Sequence, residues 1–469
     1  MHRRFIFPIV SIAFLGLTIF LGYFAQRTDF QTFIAAFAVC FGLYLWLVFY
    51  PQKHFSAAEN RYWIWLGIGL RVVLLFSIPN LSDDYARFLW DGHLTVAGIH
   101  PFVHTPAYFM DNQIFPKGIT PELFGKLNSP GYFTVYPPVC QAVFALAAWL
   151  FPFNELGGVI VMKLFLLACE FGTIYLLSTP NDPDETDLPT FRILTNLNGA
   201  SSLIYALNPL IILEICGNCH FEGAMICFLL AGITALKQRK VVKGAIWWAF
   251  ATATKMLPIL FLPILWRWLG WRKGWKFNLM FSLACLVLFA PLLAVLPNIL
   301  ESLDLYFRKF QFNASVYYLV REVGILKTGW DIGVHSGPIL GGLTTLGVLI
   351  IAWRTKQFHK GEPTCSMFSD FSGPFGLNTA MFFALFLYLS FSATIQPWYV
   401  AVPLALSIGT NWRFILAWSG LVVLSYSHYD GGARQEHYGL IILEYGLIWI
   451  IFFWEARQIF LLKPTRISS

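Results

Sequence analysis

Several stretches of this chain run for about twenty positions or more without a charged residue, among them Phe5–Phe24, Thr32–Tyr50 and Phe277–Leu296. At 1.5 Å per helical residue, each is long enough to cross the ~30 Å hydrocarbon layer of a bilayer. In lipid every backbone N–H and C=O must be paired within its own segment, so such runs fold as helices. Further apolar runs lie at Tyr62–Ile78, Val159–Leu177, Ile339–Trp353 and Tyr438–Trp454. Composition agrees: 57% of the residues are hydrophobic and 12% charged, which excludes an ordinary soluble domain. The expected fold is all-α and polytopic, with about 12–14 crossing or half-crossing helices by the length rule.

The net charge of +7 lies mostly in short loops. It reports topology and gives no support to a nucleic-acid partner. Lys53 and Arg61, the Lys237–Lys243 cluster, Arg267–Lys276, Arg354–Lys360, Arg413 and the Arg457–Arg466 tail are placed in the cytoplasm. His2-Arg3-Arg4 leads into the first apolar run without a small-residue cleavage site, so that run is read as a span and not a cleaved signal. Val139–Phe151 is short for the ~20 residues a span needs, and is read as re-entrant or interfacial. Gly244–Trp266 is long enough for one crossing but has basic clusters at both ends. A hairpin that turns at Lys255-Met256-Leu257-Pro258 resolves this, with Pro258 breaking the helix. Gly223–Leu236 then runs inward, and Asn181–Asp187 with Arg192 forms a polar loop.

The opposite loops collect the unusual polar residues. The most informative is Ser82–His100, SDDYARFLWDGHLTVAGIH. Ser82 is a good helix N-cap, and Asp83 and Asp84 fall in the first turn, where the helix dipole favours negative charge. Asp84, Arg87 and Asp91 share one helical face. The expectation is an amphipathic helix on the membrane surface with two acids at its entrance. An ordinary Asp84–Arg87 ion pair is the plainer alternative. His220, Glu222, Asn313, Arg321, Gln396, Trp398, Tyr399 and His437 fall on the same side. Lys255 lies within an apolar run, where a charge marks function by default; pairing with an acid such as Glu214 is the structural alternative. The eight cysteines read mainly as packing residues. Cys216 and Cys219 form a C-x-x-C next to His220 but lack a second pair, so no zinc site is assigned.

SDDYARFLWDGHLTVAGIHPF resembles the first extracytoplasmic loop of polytopic glycosyltransferases of the C superfamily, the mannosyltransferase-like enzymes that use polyprenyl-phosphate sugars. Tyr136-Pro137-Pro138, Asn208-Pro209, Gly217-Asn218-Cys219-His220, Phe312-Asn313-Ala314-Ser315 and Gln396-Pro397-Trp398-Tyr399 resemble later signatures of that group, in order, through Tyr399. Cys219 departs from it, since a small residue such as glycine is expected there.

The resemblance implies transfer of a hexose, mannose first, from a polyprenyl-phosphate donor to a glycan, lipid or protein acceptor. The setting it implies is a bacterial inner membrane, with the site facing the periplasm. Such transfer needs a base for the acceptor hydroxyl, for which Asp84 is the first candidate and Asp83 the second. It needs cations for the departing phosphate, for which Lys255, Arg321 and His437 are candidates. Arg87, Asp91, His220, Glu222, Asn313, Gln396, Trp398 and Tyr399 are candidates for holding substrate. Adjacent aspartates also suit a divalent cation, but oxygen-ligand sites take more ligands than these, and no metal is assigned. No Walker loop or dinucleotide fingerprint appears in a strand–helix setting, and a lipid-activated donor needs none. The chain is read as one membrane domain, 1–469: N-terminal helices to 61, catalytic helices and outer loops over 62–338, C-terminal helices over 339–469. A transporter or flippase of a lipid-linked sugar, or a ligase of whole glycans, shares the topology. Transporters more often show internal repeats and midplane sites, which this sequence lacks.

Overall fold

The structure is a computed structural model that describes residues 3–49, 55–178, 202–308, 310–357, 375–410, 412–432 and 434–461. The Asn181–Asp187 loop, Arg192, Lys53, Lys360, Lys463 and Arg466 lie outside the described residues. Among those described, the chain is helical, with only two isolated β-bridges.

Six helices are long and apolar enough to cross a membrane: Ile6–Tyr23, Phe30–Phe49, Glu155–Ser178, Trp271–Ser302, His335–Trp353 and Tyr438–Ile459. A seventh candidate is broken, Pro209–Gly217 followed by Glu222–Lys237 at an angle of 109°. Pro138–Leu150, Leu257–Leu269, Leu377–Phe391 and Pro397–Ser407 are shorter apolar helices. Among the described residues, helices too short to span thus stand beside the six of span length. The long helices turn apolar side chains outward, among them Ile12, Val39, Val287 and Ile450, as a lipid environment requires.

The chain forms two compact units that interleave along the sequence. The first comprises Met1–Ile259, Lys276–Lys309 and Tyr429–Gly432; the second comprises Leu260–Trp275, Phe310–His428 and Ala433–Ser469.

In the first unit the Asp84–Val96 helix packs on Pro138–Leu150, which in turn meets Glu155–Ser178 and Val241–Thr254. Gly92 permits the first of these crossings, because a Cβ there would stand 2.2 Å from the Phe144 carbonyl oxygen. Tyr85 through Leu94 are therefore all buried. Its apolar positions are covered by the neighbouring short helix and by the loop that follows. A buried ionic cluster braces the unit. Arg71 donates to Glu170 at 2.9 Å and to the Ala206 carbonyl at 2.6 Å, and Tyr205 donates to Glu170 at 2.6 Å. Lys163 donates to the carbonyls of Leu74 and Ser77 at 2.7 and 2.6 Å. Paired in this way, charges within apolar helices avoid the cost of isolated burial.

Candidate active site

The acid pair stands where the chain enters the Asp84–Val96 helix. Asp83 is the N-cap residue, and Ser82 Oγ accepts from the Asp84 N–H at 3.3 Å. The entrance is pinned from the broken helix: Asn218 Oδ1 accepts the Leu81 N–H at 3.3 Å, while Asn218 Nδ2 donates to Glu214 at 3.2 Å. Asn208 starts that broken helix as a cap, its side chain accepting the Leu210 N–H at 3.0 Å, with Pro209 in the first turn where its missing N–H costs nothing.

The two acids differ. Asp83 is bonded to the Arg27 guanidinium. Asp84 accepts from Asn128 Nδ2 at 2.9 Å and from the Tyr136 hydroxyl at 3.1 Å. Among the described residues both donors to Asp84 are neutral. Each carboxylate oxygen keeps acceptor capacity beyond a single bond, and Asp84 is only half-buried. Tyr136 is held edge-on against Phe88 at 4.7 Å between centroids. Its ring faces Lys255, whose Nζ is 5.3 Å from the ring centre.

The helix breaks at Lys255, where φ is −150° and ψ is 136°. The next leg begins with the turn Leu257–Phe261, and the two legs are tied by Trp248 Nε1 donating to the Pro258 carbonyl at 3.1 Å. Lys255 does not pair with Glu214, the acid suggested by sequence. It pairs with Glu222 at 3.0 Å. The sharp bend before Glu222 decides this, since it aims the first turn of Glu222–Lys237 at the neighbouring Val241–Thr254 helix. Glu214 instead lies 3.4 Å from His220 Nε2, and both residues are buried.

Arg87 and Asp91 join each other at 2.9 Å, so the Asp84–Arg87 pair is not made. Arg87 also donates to the Tyr132 carbonyl at 3.0 Å, and Gln141 Nε2 donates to Asp91 at 2.9 Å. Both residues act here as a buried brace for the Ser129–Tyr136 loop.

In the second unit, Asn313 is buried with φ of +46°. Its amide donates to Glu444 at 3.2 Å, its carbonyl accepts from Tyr445 at 2.6 Å, and Trp418 also donates to Glu444 at 3.0 Å. Arg321 is engaged by Glu322 at 2.7 Å, by Gln311 and by the Tyr438 hydroxyl, and stacks over Tyr318 at 4.5 Å. His437 is exposed. Gln396 is buried at the start of the Pro397–Val400 turn, and Trp398 and Tyr399 meet edge-on at 6.0 Å. Burial holds His428 below the ordinary imidazole value, against the opposing pull of Glu436 3.8 Å away.

Sequence reasoning missed Arg27, Asn128 and Gln141, which carry no local signal. Glu170 and Glu444 were visible as acids inside apolar runs, a pattern that should prompt a search for partners. Cys219, which departs from the glycosyltransferase signature, has φ of +63° at the bend apex, a conformation for which glycine is the default residue. Among the described residues no three His, Cys, Asp or Glu side chains gather into a metal-holding group.

Residues 12–270 match the family described as alpha-(1->6)-mannopyranosyltransferase, N-terminal domain. The chain is 26% identical over 267 residues to alpha-(1->6)-mannopyranosyltransferase A of Mycobacterium tuberculosis (strain ATCC 25618 / H37Rv), a match covering 50% of this chain and 47% of that protein. The chain thus matches about half the length of this curated relative. The family match contains Asp83, Asp84, Tyr136, Glu222 and Lys255, and stops before Asn313. It is in keeping with the mannosyltransferase-like resemblance of the loop signatures. The chain belongs to the alpha-(1->6)-mannopyranosyltransferase N-terminal-domain family.

Proposed function

We propose that this protein is a membrane hexosyltransferase that moves mannose from a polyprenyl-phosphate donor to a hydroxyl of a glycan, lipid or protein acceptor, by inverting transfer with Asp84 as base. The observation that carries this reading is the unequal pairing of the two acids. Asp83 is tied to a guanidinium, while Asp84 is held by two neutral donors beside a lysine.

In this reaction the acceptor O–H gives its proton to Asp84. The acceptor oxygen bonds to the anomeric carbon as the carbon–oxygen bond to the donor phosphate breaks, and that electron pair leaves on the phosphate. Tyr136 and Asn128 orient the carboxylate, which lowers the reorganisation needed at the moment of transfer. Lys255 exchanges Glu222 for phosphate oxygens and stabilises the charge that develops there. Arg87 and Asp91 hold the loop that supplies Tyr136. His220 and Glu222 act through the broken helix and Lys255. In the second unit, taken by itself, exposed His437 is a freer cation than Arg321, which Glu322, Gln311 and Tyr438 already engage. The basic loops favour a site facing away from the cytoplasm, at the outer face of a bacterial inner membrane.

The test is purified protein in lipid vesicles with a labelled polyprenyl-phosphate mannose and an oligomannoside acceptor. Label appearing in the acceptor is expected, with loss of transfer in Asp84→Asn. Movement of the donor between leaflets without transfer would replace this reading with a transporter.

A further inference from the structure

In the second unit the short helix Leu262–Leu269 and the helix that starts at Trp271 are joined by one residue, Gly270. Its φ of +74° is a left-handed conformation for which glycine is the default. The tight joint brings Trp266 against Trp271 and Trp275, at centroid distances of 5.4 and 5.1 Å, and sets Trp271 on Trp275 at 6.0 Å, each pair edge-on. Such contacts hold the three indoles as one group. Trp271 and Trp275 are nevertheless 67% and 55% exposed. Trp353, the last residue of the Gly333–Trp353 helix, is 76% exposed, and its carbonyl accepts from Arg267 Nε at 3.4 Å. Arg267 thus ties the indole group to the end of that helix.

An indole is at home where headgroups meet hydrocarbon, with its ring in the apolar layer and its N–H toward the polar one. Two span-length helices mark that boundary here, since His335–Trp353 ends at one of these tryptophans and Trp271–Ser302 begins at another. Free cations stand beside them. Arg272 and Lys273 follow Trp271 directly, and both are exposed without an ion pair among the described residues. Arg267 is exposed and commits only Nε to Trp353. No Asp or Glu occurs between Glu222 and Glu301. Topology alone asks only for charge in such a loop. Indoles fixed beside unpaired cations add a surface that suits a partner with an apolar body and an anionic head.

We propose that this face is a binding site for anionic phospholipid. The lipid phosphate rests on Arg267, Arg272 and Lys273, and the glycerol and upper acyl chains lie against the indoles, on the cytoplasmic side that the basic loops favour. The long stems of Arg272 and Lys273 lie along apolar surface while their charged ends reach the phosphate level. None of the residues named in the proposed transfer belongs to this face, so the site stands or falls apart from the transferase reading.

The experiment is native mass spectrometry of the full chain in neutral detergent, titrated with phosphatidylglycerol or with phosphatidylcholine of the same acyl chains. The parent is expected to favour phosphatidylglycerol by about tenfold or more. The double variant Arg272→Gln, Lys273→Gln should lose that preference. Trp271→Ala should weaken both lipids together, because the indole meets the part they share. A second double variant, Arg239→Gln, Lys240→Gln, removes two exposed cations of the first unit and should keep the preference. All these positions are exposed, so each variant should melt as the parent does in phosphatidylcholine vesicles. Equal affinity of the parent for the two lipids overturns the proposal, as does a preference that survives in Arg272→Gln, Lys273→Gln. An equal loss in both double variants overturns it as well, since diffuse charge would then be the cause. Displacement of the lipid by equimolar glycerol-3-phosphate would make the partner a free phosphate anion and not a lipid.

Discussion

Lys255 Nζ lies 3.0 Å from Glu222 Oε1 and 5.3 Å from the centre of the Tyr136 ring. The same tyrosine donates to Asp84. One aromatic side chain thus stands between the proposed base and the proposed phosphate cation, and each of the three is separately testable.

Asp84→Asn keeps size and removes the proton acceptor. Transfer is expected to fall by about 10²–10⁴-fold, the usual contribution of a general base. Asp83→Asn should cost less activity, with part of the loss appearing as lower thermal stability through the broken Arg27 pairing. Steady-state assays beside melting curves check this. Full activity in Asp84→Asn removes the assignment.

Tyr136→Phe deletes the hydroxyl that orients Asp84 and leaves the ring under Lys255. We expect kcat to fall roughly tenfold, on the scale of one lost hydrogen bond to a charged group at 1.5–3 kcal/mol, with the apparent affinity for donor unchanged. Tyr136→Leu removes the ring as well and should also weaken donor use. Identical kinetics in the two variants would mean that the ring has no part in placing Lys255.

Lys255→Met removes the cation and leaves Glu222 unpaired. Lys255 keeps 25% of its side chain exposed, so the loss should be only a part of the roughly 3–5 kcal/mol measured for a fully buried broken pair. Adding Glu222→Gln should restore stability but not donor affinity, and Lys255→Arg should rescue a fraction of activity. A double variant with parental donor KM would make the lysine structural.

Cys219→Gly should be near-neutral for stability, within about 1 kcal/mol, because relief of a left-handed backbone offsets the added freedom of the unfolded chain. Cys219→Val should be strongly destabilising, since a β-branched residue is an outlier at positive φ. Chemical or thermal unfolding of the two proteins in one detergent gives the comparison; equal stability would mean that the bend tolerates any side chain.

The basic loops predict that position 84 faces outward and position 240 the cytoplasm. In an otherwise cysteine-free protein, Asp84→Cys should react with an impermeant maleimide in intact cells and Lys240→Cys only after permeabilisation. The reverse pattern would invert the topology.

The sequence by itself determined that the chain is helical and built for a membrane, because uncharged runs of span length have no other stable fold in lipid. It also determined the break at Lys255, since a proline and a misplaced charge interrupt one run, and it singled out Asp83 and Asp84 at a helix entrance. It left the two acids nearly equivalent. Only the tertiary structure separates them, by bringing Arg27 to one and Asn128 with Tyr136 to the other from distant parts of the chain. The same holds for Lys255, whose partner depends on a 109° bend between Gly217 and Glu222 that no periodicity records. Burial of the Asp84–Val96 helix was equally hidden, because an amphipathic pattern reads alike on a membrane surface and under a covering helix. What covers it is set by the close crossing at Gly92. Local pattern specifies elements and their solvent; pairings between charges far apart in sequence are set by how those elements pack.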